Sequence, residues 1–204
     1  MSGDVADVSV GRHVAAGLDL LSTRRSPLSL RPPGPDDATL RAILQVAMSG
    51  PDHGRLAPWR FIIIEGDARE AFGRVLRDSL RRRVLDADEA MLDREAAKAL
   101  RAPTIVVVAA QVRVGVPIPA IEQQIAAGIA AYNVLLAAHA SGFAGMWRTG
   151  ASAYDAGVRH ALGLGDDASI VAFLYLGTAD AMPRPRAPAV LDAHVRRWSP
   201  PVAG

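Results

Sequence analysis

The chain has 204 residues, of which 50% are hydrophobic and 22% charged, and it contains no cysteine. This length suits one domain over residues 1–204 with a sizeable core, and the apolar fraction excludes a wholly disordered chain. The absence of cysteine excludes disulfides, cysteine-ligated metals and a thiol nucleophile, and it fits a cytoplasmic location.

The net charge gives little support for a nucleic-acid partner. There are 23 basic and 21 acidic side chains, so the formal net charge is only +2. Since Lys98 is the one lysine among those 23, the other 22 basic residues are arginines. Arginine titrates higher than lysine, so this bias raises the isoelectric point to about 9.5 without adding charge at neutral pH.

The N-terminal part of the chain predicts two helices separated by a proline-rich loop. Residues 1–12 are small and polar, which excludes a signal peptide and favours a flexible leader. Residues 13–24 have apolar side chains at helical spacing, and the prolines of 27–35 then require an extended loop. Asp36 or Asp37 is the expected N-cap of the next helix, which ends before Gly50.

The rest of the chain predicts strands separated by helices. Strands are expected over residues 59–65, 104–110, 143–148 and 169–176, and helices over 68–83, 89–100, 120–140 and 155–162. The second and the last of these strands are apolar on both faces, which is typical of central strands. The pattern predicts an α+β three-layer fold, with a central mixed β-sheet flanked by helices and an extended tail over 182–204.

One long segment, Ile125 to Trp147, contains no Asp, Glu, Lys or Arg. It is long enough to cross a bilayer. However, Asn133, His139 and Ser141 interrupt it, and neither flank carries a cluster of Lys or Arg. We interpret it as a helix buried in the protein or in a subunit interface, and we expect no membrane partner.

Familiar patterns of metal-dependent and nucleophilic catalysis are absent. No two of the five histidines are three to five residues apart, and no HExxH, GxSxG, P-loop or GxGxxG motif occurs. We therefore expect no metal site, and these patterns assign no catalytic side chain. An enzyme with this sequence would depend on a cofactor for its reactivity.

Two arginine-rich segments carry different expectations. Arg24-Arg25-Ser26 offers two guanidinium groups and a hydroxyl that suit a phosphate, although the same residues could compensate a helix dipole. By contrast, the arginines of 77–83 lie among acidic residues, with no aromatic side chains for base stacking. We interpret that run as a solvated helix face, with a nucleic-acid surface as the alternative.

Two loops are further candidates for ligand contacts. In loop 49–59, Asp52, His53 and Arg55 can hydrogen-bond a polar heterocycle, or the loop forms an ordinary surface turn. The glycine-rich segment 142–150 allows a flat ring to approach the backbone, or it forms a helix C-cap followed by a plain strand. Each segment alone is compatible with both interpretations, a ligand contact or an ordinary structural element.

Taken in order, these segments resemble the FMN-dependent nitroreductase family, most closely its compact YdjA-type NAD(P)H nitroreductases. The resemblance covers most of residues 20–178 and rests on LLSTRRSPLSL, GPDHGRLAPWRFIIIEG, RAPTIVVVAA, GFAGMWRTG and IVAFLYLGT. It implies a nitroreductase-like intertwined homodimer with FMN at the subunit interface. It also implies a ping-pong reaction, in which hydride passes from NADH or NADPH to flavin N5 and then to a nitroaromatic, quinone or similar electron-poor acceptor.

The resemblance also implies which residues bind the cofactor and the nucleotide. For the subunit that holds FMN, they are Arg24, Arg25, Ser26, Trp147, Arg148, Thr149 and Arg186, with Arg184 nearby. For the other subunit, they are Ser49 and His53, with Arg55 in the same loop. For the nicotinamide nucleotide, they are Ala137, Ala138, His139, Ala140, Ser141 and Gly142.

The chain departs from this family at four positions. Asp52 and Arg55 stand where many members have Ser and Asn, and Ser29 and Ser49 stand where the compact subgroup often has Arg. These changes concern contacts to the flavin and keep an alternative open. In that alternative the chain is a flavin-binding carrier or regulatory protein without reductase turnover.

Overall fold

The structure, a computed structural model, describes residues 15–181, 183–184, 187 and 189–200. Its helices are α1 (residues 15–23), α2 (Asp37–Ala47), α3 (Ala68–Arg83), α4 (Glu89–Ala96), α5 (Ala120–Ala140) and α6 (Ala156–Ala161). Its strands are β1 (Leu30–Arg31), β2 (Trp59–Glu65), β3 (Thr104–Gln111), β4 (Ala144–Arg148) and β5 (Ala168–Ala179). The predicted leader 1–12, part of the predicted tail and Arg186 lie outside the described residues.

Aspartates begin three of the helices, as the local sequence favours. The side chain of Asp36 accepts a hydrogen bond from the Thr39 amide at 2.8 Å, and Asp88 and Asp155 cap α4 and α6 in the same way. Each cap satisfies one of the free amides in the first turn of its helix. These caps fix where the helices begin, which is why Asp36 could be proposed from sequence.

The five strands form one sheet, in which β3 lies between β2 and β5. The other edge of β5 pairs with β4 over Phe173–Gly177 and with β1 over Thr178–Ala179. Every pairing between described strands is antiparallel, so the prediction of a mixed sheet is wrong for this part of the chain. The physical reason is that β5 lies between β3 and β4, the two strands that α5 connects in a parallel sense.

Helices cover both faces of the sheet, which confirms the predicted α+β three-layer fold. On one face, α2 and α5 pack on alternate residues of β3 and β5, including Val106, Val108 and Leu174. On the other face, α3 and α6 pack on the intervening residues, including Val107 and Phe173. Because β3 is buried on both faces, its sequence is continuously apolar rather than alternating.

Helix α5 contains most of the charge-free segment, and it begins and ends where the sequence predicts. Its inner side, which includes Ala127, Ala131 and Val134, is completely buried against the sheet. Its outer side leaves Ile121, Ile125 and Tyr132 between 40% and 59% exposed. Among the described residues, no helix is both long enough and apolar enough to cross a membrane.

Candidate functional site

The segment Arg24-Arg25-Ser26 follows α1 directly and lines a cavity of about 410 Å³. Arg184 of the C-terminal segment lines the same cavity, so the fold brings three guanidinium groups to one place. The Arg24 Nη1 donates a hydrogen bond to the Ser26 hydroxyl at 3.3 Å. Three cations and a hydroxyl around one cavity of this size suit a phosphate group.

Arg24 is held in place without a carboxylate partner among the described residues. Its guanidinium carbon lies 6.0 Å from the centre of the Tyr132 ring on α5. Its Nε is buried and has no hydrogen-bond partner among the described residues. Within the part of the chain that the structure describes, Arg25 donates only to the backbone carbonyls of Ser22 and Arg24. A buried donor with no partner is costly, so this cavity fits an anionic ligand.

A second cavity, of about 370 Å³, lies between α2 and the C-terminal end of α5. Ser49 lines it, as do Ala137, Ala140 and Ser141 from the segment predicted to meet the nicotinamide nucleotide. Ala138 does not line it, because this residue is completely buried in the core between α5 and the sheet. His139 lies on another side of the helix, with its Nε2 3.2 Å from the Thr23 hydroxyl.

Loop 49–59 is braced by its own polar groups. The Asp52 carboxylate accepts a hydrogen bond from the Ala57 amide at 2.7 Å, and His53 Nδ1 lies 2.6 Å from Glu122 at the start of α5. Gly54, Arg55 and Ala57 all have positive φ, which is unusual for the last two. Arg55 makes no hydrogen bond or ion pair through its side chain with the described residues. Asp52 therefore braces the loop conformation, whereas the Arg55 guanidinium has no part in it among the described residues.

Of the three consecutive residues predicted from the glycine-rich segment, Trp147 lies on one face of the sheet, and Arg148 and Thr149 lie on the other. Trp147 packs partly buried against the layer formed by α2 and α5. Arg148 and Thr149 instead line a cavity of about 130 Å³ on the other face of the sheet. Successive residues of a strand point to opposite faces, so the separation of Trp147 from Arg148 follows from their positions in β4.

Helix α5 contacts several of these regions. It contributes Tyr132 beside Arg24, Glu122 beside His53, and the wall of the cavity that contains Ser49. Sequence reasoning did not identify Tyr132 or Glu122, since their partners are far away in the chain. Tyr132 did carry one signal, because it is the one tyrosine in a helix made mostly of alanine and aliphatic residues.

The structure defines a three-layer α+β fold with an arginine-lined cavity after its first helix. Residues 21–178 match the model of the Nitroreductase family. The chain belongs to that family. It is 39% identical over 161 residues to a protein of Escherichia coli named "Putative NAD(P)H nitroreductase YdjA". That similarity covers 79% of this chain and 87% of the relative.

Solved structures share the fold at lower sequence identity. A nitroreductase-like family protein from Bacillus cereus superposes with a TM-score of 0.77 and 20% identity, covering 90% of this chain and 96% of its own. The FMN-dependent nitroreductase NfnB from Mycobacterium smegmatis, solved in complex with NADPH, gives a TM-score of 0.69 and 19% identity. That likeness covers 91% of this chain and 99% of NfnB. These structures confirm the nitroreductase-like fold.

Proposed function

We propose that this chain is an FMN-dependent NAD(P)H oxidoreductase that reduces nitroaromatic, quinone or similar electron-poor acceptors. The observation that carries the proposal is the cavity lined by Arg24, Arg25, Ser26 and Arg184. A relative named as an NAD(P)H nitroreductase and an FMN-dependent structural neighbour support it.

The phosphate of FMN fits that cavity on chemical grounds. Arg24 presents a buried Nε without a partner, and no carboxylate of the described residues neutralises Arg24 or Arg25. The Ser26 hydroxyl adds a short donor. In this proposal Arg24 and Ser26 hold the phosphate, and Arg25 and Arg184 contribute positive charge beside it.

The rest of the chain's task is to orient the ring and the two substrates. FMN, when bound, accepts hydride from the nicotinamide nucleotide and passes it to the acceptor. Arg148 and Thr149 offer a guanidinium group and a hydroxyl at the end of β4, where the ring would be oriented. In this proposal no side chain of the chain is catalytic, because FMN supplies the reactivity and these residues position it.

The proposal includes a homodimer. Ser49 and His53 lie on a different part of the surface from Arg24, so in this proposal they reach the FMN that a second copy holds. Apolar side chains of α1, α2 and α5 are exposed; Leu18, Leu21, Val46, Ile121 and Ile125 are between 51% and 63% exposed. A second copy that covers these residues would bring its Ser49 and His53 to the cofactor of the first. Sedimentation at micromolar concentration should give a dimer, whereas a monomer would contradict this part.

Steady-state oxidation of NADH and NADPH by FMN-loaded protein tests the reductase activity. The acceptors should include nitroaromatics and quinones, with free FMN at the same concentration as the control. We expect acceptor-dependent oxidation well above the control. Tight FMN binding without reduction by either nucleotide would instead identify the alternative, a flavin carrier or regulatory protein.

A further inference from the structure

A small cavity of about 130 Å³ lies on the face of the sheet opposite α5. Its walls come from the segment around α4, the end of β4 and the middle of β5. The residues that argue for a ligand here are Glu95, Lys98, Arg101, Arg148, Ser152 and Tyr175. Arg101, Lys98, Glu95 and Tyr175 have no role in the cofactor contacts proposed above.

Glu95, the one carboxylate among the described residues that line this cavity, already has hydrogen-bond partners. It is 9% exposed, and its two oxygens accept from the Lys98 ammonium and from the Ser152 hydroxyl, the latter at 3.1 Å. Lys98 and Glu95 therefore neutralise each other. Neither Glu95 oxygen accepts a hydrogen bond from an arginine of the same cavity.

Arg101 and Arg148 are left with positive charge and no carboxylate partner among the described residues. The only side-chain hydrogen bond of Arg148 within that part of the chain goes to the Met146 sulfur at 3.8 Å. The guanidinium of Arg101 makes none there. The Tyr175 side chain is only 3% exposed, and its hydroxyl also has no hydrogen-bond partner among the described residues. Donors therefore exceed acceptors in this cavity.

Tyr175 remains a donor at neutral pH. Burial raises the pKa of its phenol, an effect that Arg101 opposes and does not cancel. A protonated hydroxyl and two guanidinium groups can all donate to one anionic oxygen pair, and the two guanidinium groups repel a cation. A cavity of about 130 Å³ has room for a carboxylate or another small oxyanion.

Arg101 and Arg148 also line an adjoining cavity of about 510 Å³. The other walls of that cavity are mainly apolar and include Leu28, Leu30, Leu100 and Met146. A ligand that spans the boundary would present an apolar body on one side of the arginines and an anionic group on the other. An aromatic carboxylate has this shape and charge distribution.

We infer that Arg101, Arg148 and Tyr175 form an anion subsite that binds the carboxylate of an aromatic electron acceptor. This inference rests on the proposed reductase function and narrows its substrate class to acceptors that carry an anionic group. We assign specificity for the anionic group to Arg101 rather than to Arg148, because Arg148 is also proposed to contact the cofactor.

The test compares a charged probe with a neutral one on FMN-loaded protein. Benzoate binding is measured by calorimetry, and turnover is measured with 4-nitrobenzoate and its neutral analogue 4-nitrobenzamide. In Arg101→Gln we expect the benzoate Kd and the KM for 4-nitrobenzoate to rise at least about tenfold, the loss expected for a charged hydrogen bond. The FMN Kd and the kinetics with 4-nitrobenzamide should not change.

Arg94→Gln is the matched control, because Arg94 is an exposed arginine of α4 that lines neither cavity. It should leave every one of these values unchanged. Tyr175→Phe removes one hydroxyl and keeps the buried ring, and it should weaken benzoate binding several-fold. Arg101→Lys should retain part of the affinity, since it keeps the charge and loses the planar fork.

Three results would overturn the inference. The first is a benzoate Kd that Arg101→Gln does not change. The second is an equal loss of FMN affinity, which would assign Arg101 to the cofactor. The third is a higher KM for NADPH but not for NADH, which would assign the anion to a nucleotide phosphate.

The assay separates failure of this inference from failure of the reductase proposal. Turnover of 4-nitrobenzamide without Arg101-dependent benzoate binding would refute the subsite alone. Arg101-dependent benzoate binding without turnover of either acceptor would refute the reductase activity and retain the anion site.

Discussion

Two groups of arginine side chains in this chain have opposite surroundings. On α3, Arg77 pairs with Glu89 and Asp93, Arg81 with Asp78, and Arg82 with Asp155. Arg24 and Arg25, after α1, contact a hydroxyl, an aromatic ring and backbone carbonyls. The sequence shows both groups as basic runs, whereas the structure distinguishes them by whether carboxylates neutralise them. Cations without such partners are the better candidates for binding an anion.

Replacing Arg24 should have the largest effect. Arg24→Ala removes a charged donor from the phosphate cavity, so FMN binding should weaken by about 1.5–3 kcal/mol, which is about a tenfold to a hundredfold rise in Kd. A fluorescence titration with FMN measures this. The matched control is Arg81→Ala on α3, for which the FMN Kd should stay the same; equal losses in both variants would remove the distinction between the two groups.

A substitution of Asp155 tests the ion-paired arginines of α3, because it should change the stability of the protein and not its FMN binding. Its side chain is 8% exposed, receives a hydrogen bond from Arg82 at 2.8 Å and caps α6 through the Val158 amide. Asp155→Asn can keep the cap but loses the ion pair, so the free energy of unfolding should fall by about 1–2 kcal/mol. Urea denaturation measures the change. If Asp155→Asn weakened FMN binding and left the free energy of unfolding unchanged, the α3 arginines would belong to the FMN site.

The same carboxylate predicts a dependence on pH. Burial acts to raise the pKa of Asp155, but hydrogen bonds from Arg82 and the Val158 amide outweigh it and hold the pKa below its ordinary value. The stabilisation is therefore fully present above the pKa of the unfolded chain, about 3.9, and is lost as the pH falls through the folded pKa. The difference in stability between wild type and Asp155→Asn should be constant near neutral pH and shrink below about pH 4.

Arg81 should give the smallest effect. It is 54% exposed and its partner Asp78 is 57% exposed, so Arg81→Gln should change the free energy of unfolding by less than about 1 kcal/mol. Because its neighbours on α3 are already neutralised, the wild-type protein should also show no mobility shift with DNA or RNA at low salt. A shift that disappears steeply with salt would restore the nucleic-acid alternative.

Features of the fold that depend on local sequence patterns could be predicted, whereas features that depend on pairing between distant parts of the chain could not. The bounds of β2, α3 and α5 follow from short-range periodicity and flanking breakers, and they agree with the structure. Strand β1 has two residues and is defined only by its pairing with the distant end of β5, so no local pattern could reveal it. The insertion of β5 between β3 and β4, which makes the sheet antiparallel, is equally non-local.

The candidate site divides in the same way. Arg24 and Ser26 are two residues apart, so their proximity could be expected from the tripeptide. The placement of Arg184 beside them and of Glu122 beside His53 depends on tertiary packing. The separation of Trp147 from Arg148 could have been predicted, because alternation along a strand requires it.

The most direct test of the central claim, that the unneutralised arginines hold FMN, is the visible absorbance spectrum of the purified protein before and after anaerobic NADH or NADPH. We predict a yellow protein, or one that becomes yellow with added FMN, whose flavin band bleaches with at least one nucleotide. A colourless protein that does not bind added FMN would contradict the claim.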